Sequence, residues 1–146
     1  MIVMTPSDEN ETRKLLTTGF LHNGPASIRY PRGSGPNVIV ENDLSPVEIG
    51  KGRLIEEGSK DLIVINFGAL LDQAREVAST LGLTLIDMRF VKPLDEDILR
   101  KYLSEAQAFV SIEDGSVAGG AGSAVQEFCS DTVSYTHLTL PTSNGV

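Results

Sequence analysis

The chain has 146 residues, 40% of them hydrophobic, and a formal net charge of −8, which suits one acidic domain or a small domain joined to part of another. The acidic balance argues against a nucleic-acid or anionic-membrane partner, and no apolar run is long enough for a membrane-spanning helix or a signal peptide. The single cysteine, Cys129, excludes an internal disulfide and predicts a reducing, cytoplasmic location.

Residues 1–33 predict one strand–helix–strand unit. Met1–Met4 is a short apolar strand, and Thr5 is placed to cap a helix in which Asp8 reaches back to the first turn. The helix is expected to end before Asn23, and Ala26–Tyr30 reads as a second strand. Since one such unit cannot bury both of its faces, it is expected to belong to a larger fold.

The rest of the chain alternates short apolar runs with amphipathic stretches, the pattern of an α/β fold with a parallel sheet. Ser34–Pro46, rich in Gly, Pro and Asn, predicts a linker before this region. Leu83–Asp97 is its centre, where a buried strand leads into a charged turn, Arg89–Lys92, and then a helix. The other predicted elements are an edge strand Gly52–Glu57, a strand Leu62–Asn66, a helix with apolar positions Leu71, Ala74, Val77, Ala78 and Leu81 that ends at Gly82, a helix Leu94–Leu103, a strand Ala108–Ile112 and a last helix opened by Gly119–Gly122.

The final stretch, residues 131–146, differs from the sequence before it. It has no helical periodicity and few acidic residues, and a β-type run, Tyr135–Leu140, precedes Pro141. We therefore expect an unrelated tail, either artefactual or disordered.

Sequence motifs along the chain occur in the order found in one enzyme family. They are MTPSDENE, IRYPRG, EIGKGR, NFG, DMRFVKPLDE and ED-x4-GGAGSAV-x-E. On these motifs the chain, from Met1 to about Glu127, resembles the C-terminal part of the 1-deoxy-D-xylulose-5-phosphate synthase family, thiamine-diphosphate enzymes of the transketolase superfamily. RYPRG and RFVKPLD together are specific, whereas the glycine-rich GGAG alone is a weak signal.

The resemblance implies a domain organisation and a fold class. Residues 1–36 would be the end of a pyrimidine-binding domain, 37–47 a linker, and 48–130 a truncated transketolase C-terminal domain. That domain would be α/β, a three-layer α/β/α sandwich with a mostly parallel sheet and one antiparallel edge strand. In the family it helps to build a homodimer.

The resemblance also implies an activity. The family condenses pyruvate with glyceraldehyde 3-phosphate, with loss of carbon dioxide, and so feeds isoprenoid, thiamine and pyridoxal synthesis. It uses thiamine diphosphate and Mg²⁺, whose main binding motifs would lie before Met1. We therefore expect no catalytic residue and no metal site in this chain, and no activity from the chain alone, which would supply domain packing and a substrate-binding arginine to a cytoplasmic enzyme.

Arg32, the last arginine of RYPRG, is the principal candidate site residue. By the resemblance it binds the phosphate of the triose substrate, a role that suits a guanidinium because its fork donates to two oxygens at once. The alternative is a solvated loop arginine that follows a strand and has no functional role. Arg29 is a weaker candidate, which we interpret mainly as a structural residue.

Other charged residues admit two interpretations each. Asp8 and Glu11 fit helix capping and an exposed acidic face better than an acid/base pair. The Glu113–Asp114 pair before the glycines fits either an anion site or close packing of the last helix, and the second is favoured because carboxylates repel anions. Arg89 and Lys92 fit a salt-bridged domain interface better than a phosphate contact.

Three other functions remain open at this point. The chain could belong to another member of the superfamily, such as transketolase or the β chain of a 2-oxo-acid dehydrogenase. It could be a stand-alone α/β module that binds an anion or a nucleotide at the GGAG loop, or a purely structural dimerisation domain.

Overall fold

The computed structural model describes residues 1–132, so most of the predicted tail, 131–146, lies outside the described residues. The described part contains two sheets, one of three strands and one of four. No helix in this part is long and apolar enough to cross a membrane. The elements are β1 (Ile2–Met4), α1 (Glu9–Leu21), β2 (Ala26–Ile28), β3 (Arg53–Glu56), β4 (Ser59–Phe67), α2 (Leu71–Leu81), β5 (Leu83–Asp87), β6 (Phe90–Lys92), α3 (Glu96–Leu103), β7 (Ala108–Glu113) and α4 (Ala121–Thr132).

The four-stranded sheet forms the middle layer of a three-layer α/β/α sandwich. β4 pairs in parallel with both β5 and β7, and β3 pairs antiparallel with β5 at one edge. The predicted fold class, including the antiparallel edge strand, is therefore confirmed. One face is covered by α3 and α4, with a core of Ile63, Ile65, Phe67, Ile86, Met88, Leu99, Tyr102, Leu103, Ala106, Phe109, Ala121, Val125 and Cys129. The other face is covered by α2, with a core of Val64, Leu71, Ala74, Ala78 and Leu85.

The predicted α2 helix is confirmed, but its buried face is narrower than expected. Gly82 ends the helix in the left-handed conformation, at φ 64°, which glycine adopts without steric cost. Val77 and Leu81, predicted to face the core, remain 50% and 63% exposed. Only one side of α2 contacts the sheet, so the residues that flank its buried stripe stay in solvent.

The three-stranded sheet joins the opening segment to the rest of the fold. β1 pairs in parallel with β2 and antiparallel with β6, with Val3 opposite Lys92 and Met4 opposite Phe90. The prediction of a turn over residues 89–92 was therefore wrong for 90–92, because the free edge of β1 supplies backbone partners for a strand there. Leu15 of α1 packs with Ile2, Met4 and Phe90 in a small third core.

The predicted start of α1 was also wrong. Asp8, and not Thr5, is the N-cap, and its carboxylate accepts a hydrogen bond from the Glu11 N–H at 2.8 Å. Thr5 instead donates its backbone N–H to the Arg89 carbonyl at 2.7 Å. This hydrogen bond extends the contact between β1 and the residues next to β6. Thr5 therefore belongs with the three-stranded sheet and not with α1.

Candidate functional site

A cleft of about 360 Å³ lies where the opening segment meets the carboxyl ends of β4 and β7. This is the edge at which open α/β sheets usually carry their ligands. Its lining is Val3, Thr5, Arg29, Tyr30, Pro31, Arg32, Phe67, Gly68, Ala69, Val91, Glu113, Asp114, Gly119, Gly120 and Ala121. Both arginines that the sequence singled out therefore line the same cleft.

Arg32 lies on the loop that follows β2, at the wall of this cleft. Its side chain is exposed, and no hydrogen bond or ion pair links its guanidinium to another residue in the described part of the chain. The next residue, Gly33, has φ 144°, a conformation that side-chain-bearing residues rarely adopt. The geometry thus leaves a charged, five-donor group open to a ligand.

Arg29 lines the cleft as well, but its guanidinium is already engaged. It donates to the backbone carbonyl of Asp114, just beyond β7. Its backbone N–H donates to the Met4 carbonyl at 2.8 Å, which extends the β1–β2 pairing. These two bonds hold the loop against both sheets and support the structural interpretation of Arg29.

Glu113 closes the N-terminus of α4 to exogenous anions. Its carboxylate accepts hydrogen bonds from the backbone N–H groups of Ala121, at 2.7 Å, and Gly122, at 3.1 Å. Those N–H groups and the positive end of the helix would otherwise attract a phosphate. The first turn of α4 is therefore neutralised by the chain itself, which argues against a nucleotide or anion site at the GGAG loop.

Gly122 has a packing role in the same turn. A Cβ added there would lie 2.4 Å from Ser111 Oγ of β7, well inside van der Waals contact. The predicted close approach of the last helix is found, and the surface it approaches is the sheet.

A buried ion network joins α1 to the four-stranded sheet. Glu11 is 3% exposed, so the expectation of an exposed acidic face was wrong for this residue. It accepts hydrogen bonds from Arg89, at 2.8 and 2.9 Å, and from Arg53 Nη1, at 3.1 Å. The structure thus places Arg89 in a salt bridge to α1. Lys92 lies exposed on β6.

The network continues to the carboxyl ends of β4 and β5. Arg53 Nε donates to Asp87 Oδ2 at 3.1 Å, and Asn66 Nδ2 donates to Asp87 Oδ1 at 3.4 Å. Burial raises the pKa of the Asp87 carboxyl, an effect that the Arg53 guanidinium opposes. Sequence reasoning missed Arg53, Asn66 and Asp87. The signal was present, since Asn66 and Asp87 each follow a buried apolar run.

Among the described residues, the other side chains that could act as nucleophiles or metal ligands form no reactive site. Cys129 is buried inside α4, and burial raises the pKa of its thiol to about 11, which leaves it protonated and unreactive at neutral pH. Among the described residues, no group of three or more His, Cys, Asp or Glu side chains is placed to hold a metal ion.

The fold and the comparisons define the family. The sequence model of the family described as "Transketolase, C-terminal domain" matches residues 50–144, and the chain belongs to that family. The match continues into the segment predicted to be an unrelated tail. A solved structure titled "Split gene transketolase, inactive beta4 tetramer" superposes with a TM-score of 0.79 at 29% identity, covering 95% of this chain and 47% of that one.

The most informative relatives carry one enzyme name. The chain is 51% identical over 144 residues to 1-deoxy-D-xylulose-5-phosphate synthase of Pseudomonas fluorescens strain Pf0-1. The aligned region covers 97% of this chain and 23% of that enzyme. The chain is 56% identical over 128 residues to the enzyme of the same name from Pseudomonas aeruginosa strain LESB58, covering 88% and 20%. The resemblance stated from the motifs is confirmed. The chain spans about a fifth to a quarter of the length of these relatives.

Proposed function

We propose that this chain acts as the C-terminal part of a 1-deoxy-D-xylulose-5-phosphate synthase, which joins pyruvate to glyceraldehyde 3-phosphate with loss of carbon dioxide. Identity of 51–56% to enzymes of that name, against 29% to a transketolase, supports this function over the other superfamily members. The observation that carries the proposal is Arg32, exposed and unbonded among the described residues at the cleft between the opening segment and the family domain.

In this proposal Arg32 binds the phosphate of the triose substrate. Its planar guanidinium donates to two phosphate oxygens at once, which fixes the orientation of the substrate as well as its affinity. Arg29 shapes the cleft wall through its bond to the Asp114 carbonyl and is the weaker candidate for a direct contact. The cleft volume of about 360 Å³ is at the small end of the range for ligand sites.

The proposed domain division follows the same reasoning. Residues 1–36 would end a pyrimidine-binding domain, 37–47 would be a linker and 48–130 would form the transketolase C-terminal domain. The Glu11–Arg89 ion pair and the β1–β6 pairing would then hold the two domains together. The parent enzyme would be a cytoplasmic homodimer. The transketolase neighbour is titled a beta4 tetramer, which supports an assembly of several chains but not that particular number.

The described residues do not fit the thiamine diphosphate and Mg²⁺ that the family uses. No carboxylate cluster among them is placed to hold Mg²⁺, and the N–H groups at the start of α4, which could otherwise bind a diphosphate, already donate to Glu113. We therefore assign no step of the carbanion chemistry to this chain. The cofactor-binding residues would come from the rest of the enzyme, and this chain alone would be inactive.

A chimeric enzyme tests the proposed function. The present chain replaces the aligned stretch of the Pseudomonas fluorescens enzyme, and carbon dioxide release from pyruvate is measured with and without glyceraldehyde 3-phosphate. We expect release that depends on the triose phosphate, with kcat within about tenfold of the unmodified enzyme, a barrier change of at most ~1.4 kcal/mol.

The control is a chimera that carries the corresponding stretch of a transketolase, which is expected to lose activity. A chimera of the present chain with a native circular dichroism spectrum and bound thiamine diphosphate, but no triose-dependent release, would rule the function out. Turnover by the isolated chain with added cofactor would contradict its proposed inactivity.

A further inference from the structure

The loop that carries Arg32 is held in place by a side chain of α1. Glu9, in the first turn of α1, accepts hydrogen bonds from the backbone N–H of Asn37, at 2.9 Å, and of Val38, at 3.4 Å. Asn37 has φ 60°, the left-handed conformation that Asn adopts more readily than most residues. A left-handed residue turns successive N–H groups toward one point and so forms a small anion-binding concavity.

The loop also lies directly against the Glu9 carboxylate. A Cβ added at Gly35 would lie 2.4 Å from Glu9 Oε1, so a residue larger than glycine cannot occupy that position without moving the carboxylate. Hydrogen bonds from the backbone N–H of Glu9 itself, and then from those of Asn37 and Val38, lower the pKa of the Glu9 carboxyl and keep it ionised. The contact therefore combines charge-assisted hydrogen bonds with close packing.

Arg32 lies between two fastened points of this loop. On one side Arg29 is bound to Met4 and Asp114. On the other side Glu9 holds residues 37 and 38. Only a short stretch that includes Gly33 separates the two anchors, so releasing either one changes the positions that the Arg32 side chain can reach.

Further contacts fix the segment beyond this point to α1. They are hydrogen bonds from Asn10 to the Ile39 carbonyl and from the Glu41 N–H to Asn10, an ion pair between Lys14 and Asp43 at 2.8 Å, and a hydrogen bond from the Val47 N–H to Thr18. Of all these contacts, those that Glu9 makes with Asn37 and Val38 lie nearest to Arg32 along the chain. Glu9 therefore holds the start of the linker, next to the loop that faces the cleft, whereas the other contacts hold the rest of the linker.

We propose that Glu9 is a positioning residue that holds the Arg32 guanidinium in place for the phosphate of the triose substrate. This inference rests on the proposed function and deepens it. Glu9 does not touch the substrate. Its carboxylate organises the backbone after Arg32 before the substrate arrives, which lowers the cost of ordering the loop on binding.

A double-mutant cycle in the chimeric enzyme tests this inference, with the Michaelis constants for both substrates as readouts. Glu9→Ala is expected to raise KM for glyceraldehyde 3-phosphate by about tenfold and to leave KM for pyruvate unchanged. Glu9→Gln, which keeps one acceptor oxygen, is expected to fall between the wild type and Glu9→Ala. Because Glu9 acts through Arg32, the double variant Glu9→Ala/Arg32→Ala is expected to match Arg32→Ala alone.

Two measurements complete the test. Amide hydrogen exchange in the chimera is expected to show faster exchange at Asn37 and Val38 in Glu9→Ala than in the wild type. Glu76→Ala, which removes an exposed glutamate of α2, is the matched control and is expected to change neither exchange at these amides nor either KM.

The outcomes separate the inference from the function on which it rests. If Arg32→Ala raises KM for the triose phosphate and Glu9→Ala does not, or if the two effects multiply in the double variant, the inference is wrong and the proposed role of Arg32 stands. If Arg32→Ala itself leaves that KM unchanged, both fall together.

Discussion

Asp8 and Glu11 lie one helical turn apart, yet the fold uses the two carboxylates differently. The Asp8 carboxylate caps α1 by accepting a hydrogen bond from the Glu11 N–H, while the Glu11 side chain is buried between two arginines. A capping role for Asp8 could be predicted from the sequence, because it depends on residues within one turn, although the N-cap itself was placed wrongly at Thr5. The burial of Glu11 could not, because Arg53 and Arg89 lie 42 and 78 residues away along the chain.

Glu11→Ala is expected to destabilise the fold strongly. The substitution leaves Arg53 and Arg89 facing an emptied, low-dielectric site, and removal of one partner of a buried ion pair costs about 3 kcal/mol or more. Urea unfolding followed by circular dichroism measures this loss of unfolding free energy.

Glu96→Ala provides the matched control for Glu11→Ala. Glu96 pairs with Arg100 at 3.0 Å on the exposed face of α3, and such a pair contributes under about 0.5 kcal/mol. Equal losses for the two variants would show that the Glu11 network is no more stabilising than a surface pair.

Among the secondary-structure elements, the predicted helices and parallel strands were correct wherever a local sequence pattern determines the element. The apolar run of β5, the left-handed Gly82 after α2 and the glycine-rich start of α4 are signals of this kind. Strand β6 was missed, because Phe90–Lys92 is short and its partner, β1, lies far away at the start of the chain. Strand pairing over such a separation leaves no local pattern.

Gly122→Ala tests the packing of α4 on β7. The added Cβ would meet Ser111 Oγ at 2.4 Å, so the helix must shift or the hydroxyl must turn away, with a cost of about 1–3 kcal/mol. The melting temperature is expected to fall, and the double variant Gly122→Ala/Ser111→Ala is expected to recover part of the loss.

An exposed helical position supplies the control for Gly122→Ala. Ser79→Ala on α2 changes a side chain in solvent and is expected to leave the melting temperature unchanged or slightly raised. A Gly122→Ala variant as stable as the wild type would contradict the close approach of α4 to the sheet.

In the molecule as a whole, the β1–β6 pairing and the Glu11 ion network connect the two small sheets. The class of fold and the position of Arg32 on a loop after β2 could be predicted from the motifs. The cleft itself could not, since its wall combines residues of the opening segment with residues after β4 and β7. That arrangement is set by tertiary packing.

The fold is expected to lose stability in acid. Hydrogen bonds from Lys14, Lys51 and Lys60 lower the pKa values of Asp43, Asp97 and Glu105, respectively. A carboxyl with a lowered folded pKa stabilises the fold above its unfolded pKa, near 4, and this contribution disappears as pH falls through the folded value. Urea midpoints at pH 7, 5 and 3.5 are therefore expected to fall, mainly in the last interval.

Burial raises the pKa of Asp87, so its contribution to the stability of the fold grows as pH falls, opposite to that of the surface pairs. A variant is therefore needed to isolate the surface pairs. Lys14→Met removes the partner of Asp43, and its decline between pH 5 and pH 3.5 is expected to be shallower than that of the wild type. Identical declines would show that the Lys14–Asp43 pair does not contribute to the pH dependence.

Arg32 is proposed to hold the phosphate of the triose substrate, and Arg32→Ala in the chimeric enzyme is the measurement that decides this claim. Loss of a charge-assisted, two-oxygen contact is expected to raise KM for glyceraldehyde 3-phosphate at least about tenfold, while KM for pyruvate stays unchanged. Arg75→Ala, on the exposed side of α2, should leave both constants unchanged. An Arg32→Ala variant in which both constants rise equally, or neither rises, would contradict the claim.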